Sequence, residues 1–320
     1  MKVGLLGSGT WGIALASVLA EKGHKLRWWS YEPEVAEAIA ATGRHPWFFP
    51  HLQIPRESIL WSGSQLWETF MGVEAIVLAI PSSYVAHTLQ PVSLPEVPWV
   101  SCTKGIVPEL NAPVSHYLRQ RGVSDFAVLS GPSHAEEVVE KRPTWVAVAS
   151  ASSEAVRLAQ ELFASSYFHL QPTPWVESLE WAAVLKNIYA IALGAVGIWG
   201  DNARAAAASV ALREMKAILE KWVPQEKPDF LSPGWAGDFL VTAYSAHSRN
   251  QRLGKLLAQG LSPSQALQQL GGMTAEGYFA ALHLPSDFPW RDFPLLRAII
   301  SVLQEENSPT LLLSTLAQSL

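Results

Sequence analysis

The sequence predicts an α/β unit built on a mainly parallel sheet, followed by an all-helical unit. Short apolar runs of strand length recur through the first half, each followed by a turn and a helical pattern. A G-x-G-x-x-G spacing, made by Gly7, Gly9 and Gly12, follows directly on the first such run. Beyond Pro174 the strand-like runs stop and alanine-rich helical patterns take over. The texture places the boundary near residue 176, giving units 1–176 and 177–320.

The first element organises the rest. Val3 to Leu6 reads as a buried strand, the glycines as a tight turn, and the stretch containing Ala14, Ala16 and Ala20 as a small-residue helix. In a Rossmann-like dinucleotide-binding unit each glycine has its own task. Gly7 makes the sharp turn, Gly9 lets a pyrophosphate approach the backbone, and Gly12 lets the helix close on the sheet. The N–H groups at the start of that helix would face the anion. Glycine spacings alone are commonplace; the order strand, glycines, helix gives this one its meaning. Lys2 followed by an apolar run also has the outline of a secretory signal peptide. The glycines interrupt it where a signal peptide needs unbroken helix, so the segment is expected to be retained and structural.

Taken in order, HKLRWWS (His24 to Ser30) is the second strand, and it runs into Tyr31 and Glu32. That is where such folds read the adenosine ribose. An acid there favours NAD and a nearby Arg favours NADP, so this signal is mixed. A helix from Pro33 to Thr42 follows, then an aromatic, proline-stiffened loop from His45 to Pro55 in which Phe48 could pack on the surface or cover a cofactor. Glu74 to Pro81 suits a parallel strand buried on both faces. PWVSCTKG is another strand, ending at Cys102, with Lys104 just beyond, where α/β sheets hold ligands. Phe126 to Val139 is a strand, a turn through Gly131 and a helix start, in which Ser133 and Glu136 have the spacing of a capping box. A capped helix start can also serve as an anion or amide site. Strand Thr144 to Ser150, helix Ser152 to Ala164 and strand Phe168 to Pro174 complete the alternating half.

In the second half, Ser178 to Gly200 is a long apolar helix whose one cation is Lys186, with Asn187 beside it. A buried ammonium is costly unless it is paired or loses its proton, the condition that proton-transferring lysines exploit. Snorkelling at the helix edge is the alternative. Asp201 to Trp222 is a second helix. Within Gly234 to Gly260, Asp238 follows a glycine turn, and Ser248-Arg249-Asn250 combines a guanidinium with two hydrogen-bonding side chains, as phosphate recognition requires. The separation of Asp238 from Arg249 is too great for one straight helix to bring them together. Glu276 is singled out in the last part, with surface exposure as its ordinary explanation, and the tail from Asp292 to Leu320 reads as helical.

The 320 residues are 49% hydrophobic and 16% charged, which suits a globular chain with a sizeable core. No uninterrupted apolar run approaches the roughly 18 residues of a membrane span. A formal charge of −5 without a long basic run gives no electrostatic case for nucleic acid. The single cysteine, Cys102, excludes an internal disulfide and fits a reducing, cytoplasmic setting. The fourteen tryptophans are best explained by core packing or a buried subunit surface.

With these pieces in order, the sequence resembles the bacterial NAD(P)-dependent glycerol-3-phosphate dehydrogenases. The motifs GSGTWGIALA, LAIPSS, CTKG, LSGPSHAEEV, LKNIYAIALG, DNARAA, GWAGDFLVT, SRNQRLG and AEG follow one another as in that family, along nearly the whole chain. The resemblance implies a reversible reduction of dihydroxyacetone phosphate to sn-glycerol 3-phosphate, feeding glycerophospholipid synthesis. It implies that Lys186 is the proton acceptor in oxidation and the donor in reduction. It assigns substrate binding to Lys104, Gly131, Ser133, Lys186, Asp238, Ser248, Arg249 and Asn250. Cofactor contacts fall to Thr10, Trp11, Phe48, Lys104, Ala135, Arg249 and Glu276, besides Gly7, Gly9, Gly12 and Tyr31. NAD or NADP is the expected cofactor, no metal is expected, and a homodimer is the expected assembly. Three features depart from the family: Tyr31 stands where Arg or His is frequent, the turn after Gly194 is shorter, and Val210 and Ala211 replace an Arg-Gly pair. The rival readings are a 6-phosphogluconate or β-hydroxyacid type of dehydrogenase and a non-catalytic NAD(P)-binding protein.

Overall fold

The computed structural model describes residues 1–245, 248–271, 275–305 and 307–319. Residues 246–247 of the predicted Gly234–Gly260 segment, 272–274 ahead of Glu276, and 306 and 320 of the tail lie outside the described residues. The chain divides into two units, Met1–Thr103 with Val114–Val176, and Lys104–Pro113 with Glu177–Leu320. The division is not contiguous: the segment that starts at Lys104 leaves the sheet-bearing unit and joins the helical one.

In the first unit the elements run β1 (Lys2–Leu6), α1 (Thr10–Glu21), β2 (Lys25–Trp29), α2 (Pro33–Thr42), β3 (Ile59–Gly63), α3 (Leu66–Thr69), β4 (Ala75–Leu78), α4 (Ser82–Leu89) and β5 (Trp99–Ser101). After β6 (Ile106–Val107) and β7 (Ala112–Pro113), which belong to the second unit, come α5 (Val114–Gln120), β8 (Phe126–Ser130), α6 (Ala135–Val139), β9 (Thr144–Ala149), α7 (Ser153–Phe163) and β10 (Phe168–Thr173). The large sheet has the order β10-β9-β8-β5-β4-β1-β2-β3. Pairing is parallel from β3 through β8, antiparallel between β8 and β9, and parallel again between β9 and β10. The central strands β4, β5 and β8 are buried throughout, as expected of strands covered on both faces. The residues that resemble a signal peptide are β1 and α1, with Leu5, Ile13, Leu15 and Leu19 in the core.

The edge strand β3 was not anticipated. Its residues are mostly half-buried, so ILWSG has neither the continuous apolar run of a central strand nor a clean alternation. The capping box expected of Ser133 and Glu136 does not form. The helix begins at Ala135 with His134 at its cap, and the Ser133 hydroxyl donates instead to the Gly131 carbonyl at 2.9 Å.

The second unit contains α8 (Val176–Val196), α9 (Asp201–Trp222), α10 (Asp238–Tyr244), α11 (Arg249–Ala258), α12 (Pro263–Gln269), α13 (Glu276–Leu282), α14 (Pro294–Leu303) and α15 (Thr310–Ser319). The β6–β7 hairpin makes it not quite all-helical. By length and composition, Val176–Trp199 could cross a membrane, but 89% of its apolar window is buried inside the protein, the position of a core helix. Two glycines set how closely α8 and α11 approach. A Cβ on Gly254 would lie 1.9 Å from the Ile191 carbonyl oxygen, and one on Gly194 would lie 2.1 Å from that of Gln251. Glu214 of α9 ties three helices: it accepts from the Tyr189 hydroxyl at 2.7 Å and from the Leu295 and Leu296 N–H groups at the start of α14.

Candidate active site

In the first unit the glycine turn has the form that a pyrophosphate needs. Gly7 has φ +114°, and its N–H donates to the Trp29 carbonyl at 3.1 Å. Its own carbonyl accepts from the Trp28 indole at 2.9 Å, which fixes the turn against β2. A Cβ on Gly12 would come within 2.2 Å of the Gly7 carbonyl oxygen, so α1 can lie on the turn only because that position is glycine. Gly9 has nothing within 4 Å of where a Cβ would stand. Helix α1 follows with no side-chain cap and no acid in its first turn, leaving the positive end open to an anion. Trp11 is anchored by its indole N–H to the Cys102 carbonyl at 3.2 Å. These residues fit a dinucleotide.

The aromatic loop is tied to the same turn through a histidine that sequence reasoning passed over. The Nδ1 of His45 accepts from the Trp47 and Phe48 N–H groups, both at 3.1 Å, and its ring packs 4.9 Å from that of Phe48. The ring also hydrogen-bonds the Ser8 backbone inside the glycine turn. Burial holds its pKa below the usual value, against that backbone bond. Phe48 is thus held near the turn while remaining 39% exposed. Tyr31 is more open still, at 72%. Gly131 is required by packing, because a Cβ there would lie 2.7 Å from the Val146 Cα. Ala135 is buried at the start of α6.

The second unit holds a buried charge cluster. Lys186 is 5% exposed and does not snorkel: its Nζ donates to Asp238 Oδ1 at 2.6 Å and to Thr242 Oγ1 at 2.9 Å. The other carboxylate oxygen of Asp238 accepts from Lys104 Nζ at 3.0 Å. Asp238 begins α10 directly after a π-helical turn, Pro233–Gly237, which replaces the simple glycine turn expected there. Single π turns often mark functional positions. Burial pulls the Lys186 ammonium down to about 7 despite the attraction of Asp238, and the Lys104 charge pushes the same way. Burial raises the Asp238 pKa, but Lys104 and Lys186 outweigh it, so the group lies below the ordinary carboxylate value. The cluster therefore keeps a carboxylate between two lysine side chains, of which Lys186 can gain or lose a proton near neutrality.

The Ser248-Arg249-Asn250 group divides its labour. The Ser248 hydroxyl caps α11 by accepting from the Gln251 N–H at 3.3 Å. Asn250 is buried and spans two helices, donating to Asn187 Oδ1 and accepting from the Gly277 N–H, each at 3.0 Å. Arg249 alone of the three is exposed. Glu276, half-buried at the first position of α13, adjoins the Gly277 that Asn250 holds. Thr242 was missed in the sequence, although its place one helical turn after Asp238 carries the signal. Among the described residues no cluster of His, Cys, Asp or Glu could hold a metal ion.

A mainly parallel sheet with an uncapped glycine turn, joined in one chain to a helical unit with a buried lysine–carboxylate cluster, defines a two-unit nicotinamide-dependent dehydrogenase. Models of the N-terminal and C-terminal parts of NAD-dependent glycerol-3-phosphate dehydrogenase match residues 2–156 and 176–314. The chain belongs to that family. It is 34% identical over 314 residues to the glycerol-3-phosphate dehydrogenase [NAD(P)+] of Shouchella clausii, covering 94% of this chain and 91% of that protein. Its counterpart in Oceanobacillus iheyensis is 35% identical over 318 residues, covering 96% of this chain and 91% of that one. The crystal structure of the Coxiella burnetii glycerol-3-phosphate dehydrogenase superposes with a TM-score of 0.88 at 28% identity, covering 99% of this chain and 98% of that one.

Proposed function

We propose that this chain catalyses the reversible, NAD(P)-dependent interconversion of dihydroxyacetone phosphate and sn-glycerol 3-phosphate, in a cytoplasmic supply route to glycerophospholipids. The observation that carries the reading is the buried Lys186, hydrogen-bonded to Asp238 and poised to titrate near neutrality. Held at the turn of Gly7, Gly9 and Gly12, the cofactor would supply hydride acceptance in oxidation and hydride donation in reduction at C2. The chain handles the proton. Neutral Lys186 Nζ accepts it from the C2 hydroxyl as the C–H bond breaks, and the ammonium gives it back to the carbonyl oxygen in the reverse direction. Asp238 holds the amine in place, and Lys104 offsets the carboxylate charge so that Lys186 is not locked as an ammonium.

Arg249, exposed at the head of α11, would hold the substrate phosphate, with Ser248 beside it. Asn250, also expected among the phosphate ligands, is already engaged with Asn187 and Gly277, so its part in this reading is to fix the head of α11. Gly131 and Ser133 keep their expected substrate roles, as do Thr10, Trp11, Phe48, Ala135 and Glu276 toward the cofactor. Binding energy from a remote phosphate can be used to orient C2. No observation favours a carboxylate substrate. The non-catalytic reading leaves the retention of a buried ammonium without a reason. A homodimer completes the proposal, and sedimentation at working concentration checks it.

The test is oxidation of reduced cofactor with dihydroxyacetone phosphate, in the intact protein and in Lys186→Met. The intact chain should turn over this substrate and not 6-phosphogluconate. The variant should lose at least about a hundredfold in kcat while its cofactor Kd stays within about twofold. Near-normal turnover in Lys186→Met would reject the assignment of the proton-transferring group.

A further inference from the structure

At the carboxyl ends of β2 and β3 lies a pocket of about 540 Å³, lined among others by Trp29, Tyr31, Glu32, Glu34, Ser64 and His87. It adjoins the glycine turn, because the Trp29 carbonyl is the group that accepts the Gly7 N–H. A dinucleotide whose pyrophosphate rests on the start of α1 extends its adenosine toward the end of the second strand, where the ribose 2′ position is read. The charges in this pocket therefore bear on whether a 2′-hydroxyl or a 2′-phosphate is accepted.

Among the described residues no lysine or arginine lines it, and two carboxylates do. Glu32 is half-buried at the cap position of α2, and Glu34 stands in that helix's first turn. The positive end of α2, which could otherwise attract a phosphate, already has these carboxylates beside it, and Pro33 removes one N–H donor there. Cations on the neighbouring segments are turned to other partners. Arg27 donates to the Glu68 carbonyl at 2.7 Å and lies over the Trp61 ring. Lys25 donates to the Glu57 carbonyl at 2.8 Å. Arg44 donates to the Pro50 carbonyl at 2.8 Å and to Gln53, and Arg56 to the Ala41 carbonyl. Among the described residues His87 is the one basic side chain in the lining. The position following β2 that would present a cation is the open phenol of Tyr31.

We infer that this chain is selective for NAD(H) over NADP(H), and that Glu32, supported by Glu34, is the residue that decides it. A ribose 2′-hydroxyl can donate to the Glu32 carboxylate. A 2′-phosphate brings like charge to the same place and finds no arginine to pair with. The inference rests on reading the first unit as the cofactor-binding part of a dehydrogenase.

The experiment is a titration with NADH and with NADPH, read by energy transfer from the tryptophans to the bound reduced nicotinamide, alongside turnover of dihydroxyacetone phosphate. The native chain should bind NADH at least tenfold more tightly than NADPH. Glu32→Gln should narrow that ratio at least threefold, chiefly by weakening NADH. Tyr31→Arg should tighten NADPH at least tenfold with little change for NADH. Equal or tighter binding of NADPH by the native chain, with turnover intact, would overturn the selectivity and leave the dehydrogenase reading standing. So would an unchanged ratio in Glu32→Gln. Failure to bind either nucleotide would overturn both.

Discussion

Lys186 is the residue whose environment matters most. Burial takes away the water that would stabilise its charge, while Asp238 restores part of that stabilisation and Lys104 competes for the same carboxylate. The balance leaves its pKa at about 7, against 10.5 for an ordinary lysine. In the proposed mechanism oxidation needs the neutral amine, so its rate should rise with pH and level off above about 7. In that mechanism reduction needs the ammonium, so its rate should be greatest below that value and fall above it. The measurement is kcat/KM against pH in both directions; profiles that rise and fall together would exclude a single group acting as both base and acid. Stability carries the same signature. Between about 7 and 10.5 the unfolded chain binds a proton at this site that the folded chain does not, so this site's contribution to stability should increase with pH across the window.

At the scale of elements, the position of α11 against α8 determines where Arg249 and Ser248 stand. The contact is backbone on backbone, made possible by Gly194 and Gly254, and Asn250 then bridges to Asn187 across it. Gly254→Ala places a methyl group where the Ile191 carbonyl lies, and α11 must move away. The expected cost is about 1–3 kcal/mol of stability, the range for overpacked sites. Denaturant unfolding measures that cost. A rise in KM for dihydroxyacetone phosphate should accompany it, because Arg249 stands at the head of α11. If the variant is as stable as the native chain, the helices are not held at that distance by the glycines. Glu214 shows the same economy in another place, since one buried carboxylate satisfies Tyr189 and the start of α14 together. Burial, and then the neighbouring Glu214 charge, hold the Tyr189 phenol protonated well above its ordinary pKa.

For the whole molecule, the proposed reading places the glycine turn for the cofactor in the first unit and the proton-transferring lysine in the second. Cofactor binding should stabilise the folded state by mass action, by about 2.7 kcal/mol at a free concentration one hundred times Kd. Thermal unfolding followed with increasing NADH should therefore give a rising Tm. Should two transitions resolve, the one belonging to Met1–Thr103 and Val114–Val176 should move first, since the glycine turn lies there. A Tm indifferent to NADH at saturating concentration would contradict the cofactor assignment.

Much of this was legible in the sequence because the signals are local. The order strand, glycine turn, helix from Val3 onward needs only neighbouring residues to be read, and so does one ammonium in the oily stretch around Lys186. Tertiary structure decided the rest. Asp238 takes Lys104 from 134 positions away and Lys186 from 52, and no spacing rule reports such partners. Strand direction was equally hidden, since the apolar runs of β8 and β9 look alike whether they pair parallel or antiparallel. The Ser133 hydroxyl and the Asn250 amide were free to serve a helix cap or a ligand until packing brought the Gly131 carbonyl to one, and Asn187 and Gly277 to the other. The division has a physical cause. Backbone propensity and hydrophobic period act over a few residues, whereas the partner of a buried polar group is chosen by whichever distant surface closes over it.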